Sequence, residues 1–297
     1  MNKISFPGLG IDEFTVNETA FWGIKWYGLI ICFGMIVAVS YIYFRTKKQK
    51  LLLDDLLDLA LFTIPLGVLG ARLYYVFTDN GNGSLFSQIM SSNNLNFGEK
   101  LLELINLRNG GLAIYGGIIA GFLTVFFVCR YKKINLLKFL DATGPAVMIA
   151  QAIGRWGNFF NREAFGGYTD NLLAMQLPVS AVRRNEITAE LWEHAVEIEG
   201  ITYIQVHPTF LYESMWNFAV MMGLLIYWKH RKFNGEVFLL YLFGYGVGRF
   251  WIESLRTDQL ILPILEVPVS MVVAALMAIG SATWILLKRK KLHKAEE

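Results

Sequence analysis

The stretch WYGLIICFGMIVAVSYIYF, from Trp26 to Phe44, carries no charged residue. A second, GGLAIYGGIIAGFLTVFFVC from Gly110 to Cys129, carries none either. Each approaches the roughly 20 apolar residues with which a helix crosses the hydrocarbon core of a bilayer. The chain as a whole is 17% charged and 55% hydrophobic, where soluble domains carry about 25% charge. These runs predict an all-α polytopic membrane bundle and exclude a soluble enzyme fold.

Seven spans are expected, at about 24–44, 57–77, 110–130, 137–154, 209–228, 236–254 and 263–287. The second, fourth, fifth and sixth contain Arg72, Asp141, Glu213 and Arg249. The clusters RTKKQK, RYKKINLLK, KHRK and KRKKLHK follow spans one, three, five and seven, and together hold more than half of the 27 Lys and Arg. By the positive-inside rule these loops are cytoplasmic, which puts the N-terminus outside and the C-terminus inside. The first residues show no apolar core ahead of an acidic stretch, unlike a cleavable signal peptide, so the first span is expected to act as its own insertion signal.

The opposite side receives the long connections. One, near 78–100, is rich in Asn, Gly and Ser and reads as irregular or partly interfacial. The other, about 158–206, reads as a small extracytoplasmic head containing an amphipathic helix over NEITAELWEHAVEIE. The organisation expected is a single integral-membrane domain over 1–297.

The segment GRWGNFFNREAFGG, residues 154–167, puts charged and amide side chains at the outer end of span four. An arginine at membrane depth is unfavourable by about 2.5 to 3.5 kcal/mol at the centre of a helix, and less near an interface. Arg72, Arg155 and Arg249 all sit at outer ends of spans beside glycines that permit close backbone approach. One alternative is that each snorkels toward headgroups. Three together point instead to a pocket, and the guanidinium fork suits a phosphate. HPTFLYE adds His207, Tyr212 and Glu213, and Glu213 and Glu253 are candidate partners that hold the arginines in place. Tyr27 and Tyr115 have the ordinary reading of interfacial aromatics. Cys32 and Cys129 lie in apolar spans and read as small packing residues.

Other seven-span classes fit less well. A retinal protein needs a lysine in the last span, and 262–287 has none. A transporter predicts repeats and polar groups near the midplane. An intramembrane protease needs a serine and a histidine, and no G-x-S-G precedes a helix.

Residues 154–166 match G-R-x-G-N-F-x-N-x-E-x-x-G through Gly154, Arg155, Gly157, Asn158, Phe159, Asn161, Glu163 and Gly166. This resembles the signature of the prolipoprotein diacylglyceryl transferases. WYGL, GARL, GGLAIYGG, HPTFLYE and YGVGRFWIESLR extend the resemblance along the chain. It implies transfer of the diacylglyceryl group of phosphatidylglycerol to the cysteine thiol in the lipobox of a preprolipoprotein signal peptide. The products are a thioether and glycerol phosphate. It also implies a bacterial plasma-membrane enzyme that uses membrane lipid, with no metal, nucleotide or nucleic-acid partner.

The resemblance assigns catalysis to Arg155, Arg249 and Tyr115, and substrate binding to Tyr27, Arg72, Asn158, Asn161, Glu163, Gly166, Tyr245 and Glu253. Arg155 and Arg249 are expected to stabilise charge growing on the leaving phosphate, with Asn158 and Asn161 as neutral donors. Glu163 is expected to position Arg155. The glycines are expected to let a loop close on the headgroup. Tyr115 stands where the family commonly has the histidine of an HGG segment, so a simple histidine base does not carry over.

Overall fold

The computed structural model describes residues 3–47, 53–78, 83–92, 96–106, 111–262 and 266–296. Lys48 to Lys50 of the first basic cluster, Gly110 at the start of the third expected span, and part of the 78–100 connection lie outside the described residues. The chain divides into two compact units, one of residues 43–139 and one made of the segments before and after it.

In the 43–139 unit, helix α2 (Leu53–Phe77) packs against α5 (Ile114–Tyr131). Gly67 faces Gly117, Gly70 faces Gly116, and Thr63 faces Gly121, so the two helices run antiparallel. A Cβ on Gly70 would come within 2.8 Å of the Gly116 carbonyl oxygen. Close backbone contact through small residues is how helices associate in lipid, where burial of apolar surface drives nothing. The connection expected to be irregular contains two short helices, α3 (Leu85–Ser91) and α4 (Phe97–Leu104). A reciprocal capping box between Asn96 and Glu99 starts α4.

The other unit holds most of α1 (Trp26–Thr46) and α6 (Leu136–Asn161), then α8 (Thr209–Tyr227), α9 (Glu236–Glu253) and α10 (Val269–Glu296). Helix α9 packs against both α8 and α10. Its glycines allow this. Gly244 lies against Val220, Gly248 against the Trp216 indole, and Gly246 against the backbone of Ala274 and Ala278. The Trp216 Nε1–H donates to the Gly244 carbonyl at 2.8 Å, so a polar atom at this contact is satisfied.

Among the described residues, six helices are long and apolar enough to cross a membrane: α1, α2, α5, α6, α8 with its extension to His230, and α10. The expected sixth, 236–254, is present as α9 but falls short in apolarity. Glu236, Arg249 and Glu253 interrupt it. The expected fourth span ends too early. Helix α6 continues through the signature to Asn161, so GRWGNFFN is helical and not a loop.

The beginning of α9 is held from another helix. Asp141 of α6, 1% exposed, accepts from the backbone N–H of Gly235 and Val237 at 2.9 Å and of Phe238 at 3.2 Å. These are among the N–H groups that a helix leaves unpaired at its start. Asp141→Ala is expected to lower stability by about 2 kcal/mol or more, since buried donors lose their acceptor. Asp141→Asn, which keeps an acceptor oxygen, should lose less. Thermal melting of the detergent-solubilised protein checks both.

The head differs from expectation in kind. It carries a five-stranded antiparallel sheet in the order β2–β1–β3–β5–β4. The strands are β1 (Lys3–Phe6), β2 (Ile11–Thr15), β3 (Met175–Pro178), β4 (Val196–Ile198) and β5 (Ile201–Val206). The expected amphipathic helix shrinks to α7 (Ala189–Glu193), and the sequence after it turns into β4 and β5. Pairing of β4 with β5, which itself pairs with β3, takes precedence over the helical spacing of the apolar residues there. Ile4, Phe6, Met175, Leu177, Ile204 and Val206 face one core, which also contains Phe159 and Phe165. The phenylalanines of the signature are therefore core residues of the head.

Candidate active site

Three helix ends meet where the polar residues gather. Arg155 lies near the end of α6, Glu213 in the second turn of α8, and Arg249 and Glu253 in the last turns of α9. Glu213 divides its carboxylate between the two arginines. Its Oε2 pairs with Arg155 Nε, and its Oε1 accepts from Arg249 Nη1 at 2.8 Å. Arg249 Nη2 pairs with Glu253, whose other oxygen accepts from the Ser270 hydroxyl of α10. The carboxylates are buried, with side-chain exposures of 6% and 5%, while Arg155 and Arg249 are 22% and 16% exposed. Two guanidiniums are thus held close to each other from behind by buried anions, with part of each still accessible.

Arg155 Nη1 also donates to Asn158 Oδ1 at 3.4 Å. The amide nitrogens of Asn158 and Asn161 donate to Glu163 Oε1 at 3.0 and 3.2 Å. Glu163 therefore reaches Arg155 through Asn158, and the carboxylate that pairs directly with Arg155 is Glu213. The other oxygen of Glu163 takes Arg183 Nη2 at 3.0 Å, from the head. The Oδ1 of Asn161 is buried with no partner among the described residues.

The signature turns back after α6 through Arg162 and Ala164, at φ 52° and 60°. This left-handed backbone disfavours side chains and is retained where surrounding contacts impose it. Here the contacts are strong. Arg162 is buried and donates to the Val16 carbonyl and to Glu18, so this second arginine of the segment staples it to the N-terminal chain. Thr209 Oγ1 donates to the Ala164 carbonyl. Gly166 N–H donates to His207 O at 3.0 Å, and Gly167 N–H to Leu255 O at 2.9 Å. A Cβ on Gly166 would lie 2.7 Å from both His207 Cβ and Leu255 O. Gly154 and Gly157 face α1, where a Cβ on Gly157 would approach the Tyr27 ring to 2.8 Å. The three glycines thus serve close approach between parts of the protein, and two of them are helical. Tyr27 is thereby placed one helical position from Asn158.

Tyr245 sits one turn before Arg249 on α9 and stacks on Tyr241, with centroids 6.2 Å apart. His207 Nδ1 lies 3.2 Å from the Tyr212 hydroxyl, which accepts from Asn171 at 3.1 Å. Burial lowers the His207 imidazole below its ordinary pKa. An apolar cleft of about 400 Å³ is lined by Ile30, Ile153, Trp156, Leu211, Met215 and Phe218. Two of these neighbour the site in sequence, since Trp156 follows Arg155 and Leu211 lies two before Glu213.

Arg72 and Tyr115 belong to the 43–139 unit. Arg72 is 1% exposed and donates to the carbonyls of Leu104 at 3.1 Å, Glu103 at 3.0 Å and Gly111 at 3.4 Å. Two of those carbonyls end α4, where a helix leaves acceptors open. Tyr115 lies in the first turn of α5 with its ring 6.5 Å from that of Tyr74.

Sequence reasoning missed Arg183 and Arg256. Arg256 makes a two-point pair with Asp258 at 2.8 and 2.7 Å and lies 3.9 Å from Glu253. It was visible in the segment YGVGRFWIESLR. Arg183 stands in a head segment with no motif of its own, and its link to Glu163 exists only in three dimensions.

The family model for prolipoprotein diacylglyceryl transferases matches residues 16–287. Similar proteins include a phosphatidylglycerol–prolipoprotein diacylglyceryl transferase of Clostridioides difficile, 36% identical with both chains fully covered. One from Finegoldia magna is also 36% identical over the whole of both chains. One from Clostridium perfringens is 38% identical over 82% of this chain and 85% of its own. With its signature at the end of α6, where the ends of α8 and α9 converge on it, and a match along nearly its whole length, the chain belongs to the prolipoprotein diacylglyceryl transferase family.

Proposed function

We propose that Arg155 and Arg249, joined by Glu213, form the phosphate clamp of this diacylglyceryl transferase. The observation that carries the reading is the shared carboxylate, which holds two partly exposed guanidiniums side by side. The enzyme moves the diacylglyceryl group of phosphatidylglycerol to a prolipoprotein cysteine. The thiol sulfur attacks the glyceryl carbon bonded to the phosphate oxygen, that C–O bond breaks with its electron pair going to the oxygen, and glycerol phosphate departs while the thiol proton passes to solvent or to the departing phosphate. Phosphate goes from a diester with one negative charge to a monoester approaching two. Fixed cations at that oxygen are worth more in the transition state than with bound substrate, which is what lowers the barrier.

The neighbouring groups fit this reaction. The open Oδ1 of Asn161 accepts a hydroxyl of the glycerol headgroup, and the second N–H of each asparagine amide remains for phosphate oxygens. Tyr27 and Tyr245 flank the headgroup, Glu253 orients Arg249, and Gly166 shapes the loop. The apolar cleft beside Trp156 takes acyl chain. The nucleophile belongs to the substrate; Cys129 is buried in α5, and Cys32 faces outward from α1. The basic clusters support the orientation with the N-terminus outside and the C-terminus cytoplasmic. On this reading the head and clamp face the side where signal peptides emerge, and the chain is one integral-membrane transferase domain. Arg72 holds the end of α4 within the 43–139 unit.

Transfer of label from phosphatidylglycerol to a lipobox peptide by the purified protein tests the reading. In the same assay Tyr115→Phe is expected to cut turnover by about 10-fold while leaving the KM for lipid nearly unchanged, the pattern of a contact made mainly in the transition state. Tyr115→His should retain substantial activity, since imidazole accepts a proton near neutral pH. Full turnover in the Phe variant removes the phenol from the mechanism.

A further inference from the structure

Arg183 lies outside the signature, in the head segment between β3 and α7. Its guanidinium bridges two carboxylates, donating from Nη2 to Glu163 Oε2 and from Nη1 to Glu186 Oε1, both at 3.0 Å. Glu163 in turn accepts from Asn158 and Asn161, and Asn158 accepts from Arg155. An unbroken line of hydrogen bonds therefore runs from the head to a clamp arginine.

The segment that carries Arg183 is anchored. Ile187 and Leu191 are buried in one core with Phe159 and Phe165, and Val179 and Val182 pack against that core. Glu186 is 5% exposed, and its Oε2 has no partner among the described residues. Burial pushes its carboxyl above the usual range, and Arg183 opposes that shift. Arg183 itself is 65% exposed. Its guanidinium thus meets, from the solvent side, two carboxylates that are themselves largely buried.

We propose that Arg183 is a positioning residue for the transfer. Acting through Glu163, it sets the amides of Asn158 and Asn161 and, through Asn158, the Arg155 guanidinium. This rests on the reading of Arg155 and Arg249 as the phosphate clamp. Without Arg183, Glu163 has no cation in contact among the described residues, and its charge is drawn toward Arg155, where it competes with the phosphate. That competition is felt most when the phosphate charge is largest, in the transition state.

The test uses the full-length protein in detergent with phosphatidylglycerol and a lipobox peptide. Arg183→Ala should lower kcat by about 10- to 100-fold, the scale of a small misplacement of a reacting group. The KM for lipid should stay within about 2-fold of wild type, as for an interaction lost in the transition state. Arg183→Lys should recover part of the loss, since an ammonium reaches one carboxylate without the fork. The double variant Arg183→Ala with Glu186→Gln also removes the buried charge that Arg183 neutralises. It should melt at the wild-type temperature while kcat stays as low as in Arg183→Ala. Wild-type kcat in that folded double variant overturns the proposal, because the bridge would then serve only Glu186. A rise in KM at unchanged kcat overturns it too. Arg155→Ala runs alongside. Full turnover there means that the clamp reading itself fails; an inactive Arg155→Ala beside normal Arg183 variants means that only the positioning role fails.

Discussion

Arg155→Ala and Arg249→Ala should each lower turnover by about 100- to 1,000-fold, the usual loss when one group that stabilises transition-state charge is removed. The geometry explains why neither arginine can substitute for the other. Arg155 presents its guanidinium from α6 through Nε, and Arg249 presents its own from α9 through Nη1, on different oxygens of one carboxylate. Each leaves a different edge toward the phosphate. Lysine should rescue poorly at either position, because one ammonium cannot hold Glu213 and a phosphate oxygen in the planar geometry of the fork. Initial rates of label transfer, normalised to folded protein, check both variants. Near wild-type turnover in a folded alanine variant removes that arginine from the clamp.

Glu213→Gln is expected to cost about 100-fold in turnover, although Glu213 reaches no substrate atom on this reading. One glutamine oxygen still accepts from a guanidinium, but the amide nitrogen opposes the other, donor against donor. The two arginines lose their common anion and repel. Glu213→Asp keeps the charge one methylene shorter, too short to span both partners, and should lie between. Glu213→Ala should also melt earlier, since removing one side of a buried ion pair leaves charge uncompensated. The separating measurement is kcat against thermal stability across the three variants. Stability that falls in Ala alone, with kcat intact in Gln, would make Glu213 scaffolding without influence on the clamp.

Much of this site was legible because its signals are local. Arg155, Asn158, Asn161 and Glu163 occupy one short segment whose spacing is a signature. Glycine beside each arginine pointed to close packing, and the structure has that packing at Gly154 against Ile31 and at Gly157 against Tyr27. The sequence offered Glu213 and Glu253 as partners of the arginines, but not the sharing of one Glu213 carboxylate between Arg155 and Arg249. Separation along the chain carries no information about which helix ends converge, and the pairing of long polar side chains depends on that alone.

Sequence by itself determined the membrane class, the positions of the long helices and the family, because charge-free runs of bilayer length and a fixed polar signature leave few alternatives. Tertiary structure decided the rest. It cut the expected head helix short and turned its last residues into β4, which pairs with β5, while β5 pairs with β3 and β3 in turn with the distant β1. It assigned Arg162 to the fold and Arg155 to the site, although they lie seven residues apart in one segment. It gave the start of α9 its acceptor in Asp141, nearly a hundred residues earlier. In each case a polar group at or near the membrane had to find a partner, and the partner came from whichever element packing brought within hydrogen-bond reach.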